Sequence, residues 1–279
     1  MGIVNLTPDS FSDGGRLYRS GRLDVNMAVD YALQLTEEGA AILDLGAEST
    51  RPGSLPIDEA EELRRLVPVV AAICEKTKVP VSVDTYRAAV ARECLAAGAE
   101  IINDISAATF EEGMLPLLCE TGAGVCLMHK KGTPQTMQVD PYYDDVVAEV
   151  SAWLAERRNV LVTAGIVPER IVLDPGIGFG KTTAHNLRLL RETDALHAIG
   201  QPLIYGISRK RFLDTLTEVD HSQYPEHRLP ATLAVTLILT SSGVQIFRVH
   251  DVAATQQALD AFCQCQIPCL LHGIYTNVY

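Results

Sequence analysis

The sequence has few basic residues for its size and no long apolar run. Its 279 residues include 23 Lys and Arg against 35 Asp and Glu, for a formal net charge of −12. An acidic surface of this kind argues against a broad nucleic-acid or membrane-surface partner. If the substrate is anionic, local cations must overcome the overall repulsion. No apolar stretch approaches the roughly 18 residues of a membrane span. The opening segment MGIVNLTPDSF has no basic region and no long apolar stretch, so no secretory signal is expected.

Any cysteine pattern that would build a disulfide scaffold is also lacking. There are seven cysteines, an odd number, and they are dispersed along the chain. They stand at positions 74, 94, 119, 126, 263, 265 and 269. Dispersed, reduced thiols are typical of proteins in a reducing compartment, so we expect a cytoplasmic protein.

What the chain does have is one repeated unit: a short aliphatic run, a polar or glycine-rich turn, and then a helical pattern. The aliphatic runs predict strands that are buried on both faces, because they are apolar at nearly every position. The eight predicted strands are Gly2–Asn5, Ala41–Gly46, Pro80–Asp84, Glu100–Asn103, Gly124–Met128, Arg170–Asp174, Pro202–Gly206 and Gln245–His250. Eight alternating units, in a chain near the roughly 250 residues typical of the fold, predict an α/β protein, a (β/α)₈ TIM barrel. An open doubly wound sheet is the alternative, which the even spacing disfavours.

The same pattern bears on domain organisation. No linker or low-complexity tract divides the chain, so residues 1–279 are expected to form a single domain. Pro68 interrupts the second helical pattern and should either kink that helix or mark its start. Two long loops, at 7–23 and 48–58, follow the first two predicted strands. Both should cover the face where barrel enzymes place their chemistry, and close over the site.

Polar side chains occur where the predicted strands end. They are Asn5, Asp84, Asn103, Asp174, Ser208, Lys210, Arg248 and His250. Each one alone is explained by a turn or a helix cap, because Asn, Asp and Ser are common there. Together they would converge on one mouth of one barrel, which predicts a binding site.

These side chains fall into two chemical sets. Asp84, Asn103, Asp174 and Lys210 suit a flat heterocycle with an amidine-like edge, whose parallel N–H groups a carboxylate can accept. A second set suits phosphate oxygens: Arg51, Arg248 and His250, with Asn5. The sequence therefore predicts a polar ring at one end of the mouth and a diphosphate at the other.

The stretch Asp174-Pro-Gly-Ile-Gly-Phe-Gly-Lys-Thr182 ends in GKT but is not a phosphate-binding P-loop. Pro175 occupies the place of the first glycine that such a loop requires. The alternate glycines are expected to let the backbone turn tightly beneath a planar ligand. Phe179 either stacks on that ligand or belongs to the core.

Seven segments in this order resemble the dihydropteroate synthase family. They are MGIVNLTPDSFSDGG, AESTRPGS, SVDTYRAAVA, INDISA, LDPGIGFGKT, GISRKRFL and FRVHDV, and they cover residues 1 to about 255. The resemblance implies a barrel fold, Mg²⁺ dependence, a homodimer and a place in folate biosynthesis. The implied reaction is attack by the arylamine of 4-aminobenzoate on the methylene of a dihydropterin diphosphate, with diphosphate leaving.

The resemblance also implies roles for individual residues. The pterin residues would be Asp84, Asn103, Asp174, Phe179 and Lys210. The diphosphate residues would be Asn5, Thr50, Arg51, Arg248 and His250. The residues expected to carry catalysis are Asp84, Asp174, Lys210, Arg248 and His250. Mg²⁺ would lie by Asn5, with Asp9 or Asp13 from the first loop.

The second substrate, 4-aminobenzoate, must point its carboxylate outward so that its amine reaches the pterin. Ser208 is expected to cap a helix whose first N–H groups, near Lys210 and Arg211, bind that carboxylate. Phe11 and Pro52 would sandwich the ring. The alternative is that Ser208 only caps the helix and the carboxylate stays in water.

Other interpretations stay open at this stage. A pterin-dependent methyltransferase would share the Asp84, Asn103 and Asp174 pocket, and a degenerate barrel would bind pterins without turnover. The tail 267–279 matches no known pattern. With Cys263, Cys265, Cys269 and His272 it could hold zinc, or it is an amphipathic tail with incidental thiols.

Overall fold

The fold alternates short strands and helices along the chain. In the computed structural model, the described residues are 1–8, 15, 17–49, 54–133 and 135–265. Their strands are β1 (Gly2–Asn5), β2 (Tyr18–Arg19), β3 (Arg22–Leu23), β4 (Leu43–Gly46), β5 (Val81–Asp84), β6 (Ile101–Asp104), β7 (Gly124–Met128), β8 (Ile171–Asp174), β9 (Ile204–Tyr205) and β10 (Ile246–Phe247). Their α-helices are α1 (Val25–Glu37), α2 (Glu59–Cys74), α3 (Ala88–Ala96), α4 (Met114–Thr121), α5 (Val146–Thr163), α6 (Thr183–Arg191), α7 (Thr193–His197), α8 (Asp214–Thr217), α9 (Leu229–Ser241) and α10 (Val252–Cys265).

The strands close into a ring. Six of them form one parallel sheet in the order β1-β4-β5-β6-β7-β8, and β9 pairs in parallel with β10. Single bridges join the two groups, Leu173 to Leu203 on one side and Gly2 to Val249 on the other. Ile3 N donates to Val249 O at 3.0 Å across the second junction. The predicted barrel is therefore confirmed, and the open doubly wound sheet is excluded by the closure.

The last two barrel strands are shorter than predicted. Pro202 has no N–H to donate to the sheet, so the strand begins after it, at Ile204. Leu203 N instead donates to the side-chain Oε1 of Gln245 at 2.9 Å. A side chain thus replaces a backbone acceptor, and β10 begins one residue later than expected.

One hairpin was not predicted. β2 and β3 pair antiparallel within the segment interpreted as a loop. Ser20 and Gly21 connect them with φ values of 51° and 75°, which is the backbone that a two-residue hairpin turn needs. Tyr18 anchors the hairpin to the barrel, because its hydroxyl donates to Leu6 O at 2.9 Å.

Several helices begin at an acidic cap. Asp24, Asp58 and Asp145 each accept a backbone N–H of the first turn of α1, α2 and α5. Pro68 lies inside α2, which continues on both sides of it, so the alternative that it marks the start of the helix is wrong. Within the described ranges, no helix has the length and apolar character to cross a bilayer.

Candidate active site

A cavity of about 1080 Å³ opens at the carboxyl ends of the strands. Among its lining residues are predicted site residues from six separate stretches of chain: Asn5, Asp84, Asn103, Asp174, Phe179, Ser208, Lys210, Arg211, Arg248 and His250. Other predicted site residues lie outside the described residues: Asp9, Phe11, Asp13, Thr50, Arg51 and Pro52. The barrel therefore brings the described members of the ring set and the phosphate set to one mouth.

One acid behind the cavity wall is a buried carboxylate that sequence reasoning missed. Asp44, on β4, is completely buried. Its Oδ2 accepts from Arg248 Nε at 2.6 Å and from Asn103 Nδ2 at 3.2 Å. Its Oδ1 accepts from Ser82 Oγ at 2.7 Å. The only signal in the sequence was one acid inside an apolar strand, LDLG.

Arg248 joins Asp44 to Asp84. Its Nη2 donates to Asp84 Oδ2 at 3.1 Å. Burial raises the pKa of Asp84 to about 7, against the opposing charge of Arg248. Burial alone would lower the pKa of Arg248, but Asp44 and Asp84 outweigh it and raise that pKa. Two carboxylates thus share one guanidinium, which leaves excess negative charge here while Asp84 is ionised.

A second acid and base pair lies across the cavity. Burial raises the pKa of Asp174, against the charge of Lys210. Burial lowers the pKa of Lys210 to about 8, against the charge of Asp174. Lys210 Nζ lies 4.6 Å from the centre of the Phe179 ring and donates to Ile177 O. Phe179 lines the cavity, so its ring is on the ligand side rather than in the core.

The glycine-rich loop after β8 packs against the segment after β7. Gly176 and Gly180 have φ values of 67° and 66°. A Cβ at Gly176 would overlap the carbonyl oxygen of His129, and one at Gly180 would overlap that of Lys131. The positive φ values agree with the predicted tight turn. The close approach that demands glycine is to backbone, however, and not to a ligand.

Lys181 ties these two segments together. It is 2% exposed. Its Nζ contacts His129 Nδ1 at 3.0 Å, and the carbonyl oxygens of Gly176 and Phe179 at 3.1 Å each. Burial lowers its pKa to about 7. Sequence reasoning missed this role, for which the GKT ending is the only local signal.

The predicted helix cap at Ser208 is wrong. Arg211–Leu213 is a single 3₁₀ turn whose N-cap residue is Lys210, and no side chain caps it. Arg209, with φ of 58°, reverses the chain before that turn. Ser208 Oγ instead lies 2.9 Å from His250 Nδ1 and accepts from His250 N at 3.2 Å.

The base of the second loop is fixed by a buried ion pair. Arg87 Nη2 donates to Glu48 Oε2 at 3.0 Å and to Ile57 O at 2.8 Å. Tyr86 OH donates to Glu48 Oε1 at 2.6 Å. Glu48 lines the cavity and stands two residues before Thr50, so this network holds one end of the segment predicted to bind diphosphate.

Clusters of metal-binding side chains do not occur in the described part of the chain. Cys263 and Cys265 lie in the last turn of α10, where Cys263 is half-buried and Cys265 is exposed. Cys269 and His272, the other two ligands of the zinc hypothesis, lie outside the described residues, as does the tail 267–279.

A closed α/β barrel with acids, a lysine and an aromatic ring around a cavity at its carboxyl mouth is typical of the barrel enzymes. The family model of pterin binding enzymes matches residues 1–250. The dihydropteroate synthase of Escherichia coli K12 is 45% identical over 259 residues, which are 93% of this chain and 88% of that protein.

Two solved structures are also similar. A Yersinia pestis dihydropteroate synthase in a sulfonamide complex has a TM-score of 0.88 and 42% identity, covering 95% of this chain and 92% of that one. A Xanthomonas albilineans dihydropteroate synthase with 4-aminobenzoic acid has a TM-score of 0.87 and 44% identity, covering 96% and 93%.

The chain belongs to the dihydropteroate synthases among the pterin-binding enzymes. It is a transferase of folate biosynthesis. Its reaction condenses 6-hydroxymethyl-7,8-dihydropterin diphosphate with 4-aminobenzoate and yields 7,8-dihydropteroate and diphosphate. The resemblance seen in the sequence is thereby confirmed.

Proposed function

We propose that the pterin ring binds among Asp84, Asn103, Asp174, Phe179 and Lys210. One observation carries this proposal: a buried carboxylate, a largely buried one and a lysine converge on one cavity with an aromatic face beside them. Asn103 gives one of its two amide N–H groups to Asp44, which orients the amide so that its Oδ1 can accept from the ligand. Asp174 and Lys210 supply an acceptor and a donor for opposite edges of the ring.

The acids also serve the reaction. When the arylamine attacks the methylene carbon and the C–O bond to diphosphate breaks, positive charge spreads into the dihydropterin ring. Asp84 and Asp174, when ionised, stabilise that charge through the fixed negative charge that they place beside the ring. The excess negative charge of Asp44 and Asp84 over Arg248 acts in the same direction.

The leaving group develops negative charge and needs cations and N–H donors. Arg248 and His250 line the cavity, and the proposal adds Asn5, Thr50 and Arg51. Arg248 lies between the acids of the pterin side and this anion side, so it couples the two. Electrostatic stabilisation of the leaving diphosphate is the main catalytic contribution that the described residues support.

We infer that Mg²⁺ assists at Asn5. The amide oxygen of Asn5 is a hard oxygen donor at the cavity wall, which fits an ion that takes few protein ligands and completes its shell with phosphate oxygens and water. When bound, Mg²⁺ would supply charge neutralisation of the diphosphate. Turnover should stop in EDTA and return with added Mg²⁺, whereas full activity in EDTA would contradict the metal assignment.

For 4-aminobenzoate the proposal relies on Arg211, with Phe11 and Pro52. Ser208 is not available as a helix cap, and its hydroxyl is engaged by His250. Arg211 is exposed at the cavity rim, where a guanidinium can meet an outward-pointing carboxylate.

The proposal extends to the state of the protein in the cell. We propose one domain over residues 1–279, a homodimer and a cytoplasmic location. α9 carries no charged residue, and its Ile238 is 60% exposed, which suits a surface that a second copy covers. Six described cysteines are free thiols, as in a reducing compartment. Light scattering of wild type and Ile238→Lys tests the dimer, because a lysine on that face should yield a monomer.

The decisive assay for the function is diphosphate release that requires both substrates. A pterin-dependent methyltransferase would release none, and a degenerate binder would show pterin affinity without turnover. Asp174→Asn tests the pocket, since it places a donor against a donor and should weaken pterin binding by roughly 1.5–3 kcal/mol. Pterin affinity unchanged in calorimetry would remove Asp174 from the pocket.

A further inference from the structure

Two neighbouring cross-links join the segment after β9 to the segment after β10. Ser208 pairs with His250 through its hydroxyl, at 2.9 Å from Nδ1. The next residues pair as well, because Arg209 Nε and Nη2 donate to the two carboxylate oxygens of Asp251 at 2.9 and 2.5 Å. The hydroxyl and the imidazole are therefore held in register by a bidentate ion pair one residue further along.

The hydrogen bonds of Ser208 fix the direction of its contact with His250. Its oxygen accepts the backbone N–H of His250 at 3.2 Å. Its side chain is buried, so water is a poor acceptor for its one hydrogen. Within the described ranges, the only acceptor in reach of that hydrogen is His250 Nδ1. The hydroxyl therefore donates to Nδ1, which must then be the unprotonated nitrogen of a neutral imidazole.

We infer that Ser208 is a positioning residue that fixes neutral His250 as the tautomer with hydrogen on Nε2. His250 then offers an N–H donor at its other nitrogen, which suits an anionic leaving group, rather than a lone pair, which would repel it. This inference rests on the proposed role of His250 toward diphosphate. It assigns Ser208 to the imidazole and not to the carboxylate of 4-aminobenzoate.

Backbone geometry supports a built arrangement. Arg209 has a φ of 58°, a conformation that non-glycine residues adopt at a cost and that persists where surrounding contacts enforce it. Those contacts are present: Arg209 N donates to Thr232 Oγ1 at 3.2 Å, and Arg209 O accepts from Arg228 Nη1 at 3.0 Å. The turn thereby places Ser208 against His250 and Lys210 against the cavity.

The direct test is nitrogen NMR of the full chain labelled with ¹⁵N-histidine. His250→Gln identifies the signals of His250 among the seven histidines. Spectra are recorded at a pH where the imidazole signals no longer move with pH. The expected wild-type result is a protonated Nε2 and an unprotonated Nδ1. A protonated Nδ1 in the neutral form would overturn the inference at once.

Two variants then test the cause. Ser208→Ala should shift the His250 tautomer equilibrium toward hydrogen on Nδ1, and Ser208→Thr, which keeps the hydroxyl, should restore the wild-type signals. Ser151→Ala is the matched control, because it removes a buried hydroxyl for which the described residues offer no hydrogen-bond partner. A His250 tautomer that is unchanged in Ser208→Ala would contradict the positioning role.

Kinetics add a readout that loss of fold would not mimic. Ser208→Ala should lower kcat about tenfold, the value of one hydrogen bond, while the KM for the arylamine substrate stays unchanged. A raised KM for that substrate with an unchanged kcat would return Ser208 to the carboxylate site and reject the inference. If the tautomer depends on Ser208 but His250→Gln keeps full activity, the proposed diphosphate role of His250 fails while the Ser208–His250 coupling stands.

Discussion

Arg248 Nε and Asp44 Oδ2 lie 2.6 Å apart, although 204 residues separate them in the chain. The contact crosses the junction that closes the barrel, from the segment after β10 to β4. The same Asp44 oxygen also receives the amide of Asn103. One buried carboxylate therefore orients a residue proposed for the pterin and a residue proposed for the diphosphate.

Asp44→Asn should weaken both substrate contacts without unfolding the barrel. The amide keeps the volume of Asp44 but loses the charge that holds Arg248. A charge-assisted hydrogen bond contributes about 1.5–3 kcal/mol, so kcat/KM for the pterin diphosphate should fall by roughly 10- to 150-fold. Ser82→Ala is the control, because it removes only the neutral partner of Asp44 and should cost under tenfold. Equal losses in the two variants would contradict the charge argument.

The pH profile should report Lys210. Burial lowers its pKa to about 8, against the charge of Asp174. Below that pH the ammonium is charged and can donate to the pterin. As the pH rises through about 8 the charge is lost, so kcat/KM should decline on the alkaline side.

Lys210→Arg should remove this alkaline decline, because a guanidinium stays protonated. Lys181→Arg is the matched control, since Lys181 also lines the cavity and burial lowers its pKa as well. Steady-state rates from about pH 6 to pH 10 measure both. A decline that survives in Lys210→Arg and vanishes in Lys181→Arg would transfer the assignment to Lys181.

The site residues at strand ends could be predicted because their position in the strand is enough to place them at the mouth of the barrel. Asp84 and Asp174 end aliphatic runs, and the end of a parallel strand faces the mouth whatever the details of packing. Asp44 could not be predicted in this way because it lies inside its strand and not at the end. In a barrel both faces of a strand are apolar, so alternation does not distinguish the interior from the helix-facing side.

Ser208 shows a different limit. Its residue type and place before a helical pattern predict a cap, but Arg209 takes a left-handed backbone that the letters SRK do not reveal. Ser208 and His250 are 42 residues apart in the chain. They meet because β9 and β10 lie side by side in the barrel. Long-range pairing of this kind follows from closure of the barrel and not from local pattern.

Gly176→Ala should be far more destabilising than Gly200→Ala, although both glycines have a positive φ. Gly200 has φ of 85°, and no heavy atom of the described residues lies within 4 Å of a Cβ built there. Gly200→Ala should therefore cost only the backbone penalty, about 1–2 kcal/mol. Gly176→Ala adds overlap with the His129 carbonyl, and we expect a loss of about 3 kcal/mol or more in urea unfolding. Similar losses of unfolding free energy at the two sites would show that the backbone at His129 moves aside at little cost.

The carboxylate of 4-aminobenzoate should be sensed by Arg211. Arg211 is exposed at the cavity rim, where water screens charge, so one ion pair contributes about 1 kcal/mol. Arg211→Gln should raise the KM for the arylamine substrate by roughly fivefold and leave the KM for the pterin diphosphate unchanged. Arg191→Gln makes the same change in net charge at an exposed position of α6 away from the cavity, and it should change neither. Aniline lacks the carboxylate, so its KM should be raised by at least the same factor and should be equal in wild type and in Arg211→Gln. If aniline and 4-aminobenzoate had equal KM values in the wild type, no anion would be sensed at this rim. If the two substrates differed but Arg211→Gln changed nothing, another group would bind the carboxylate.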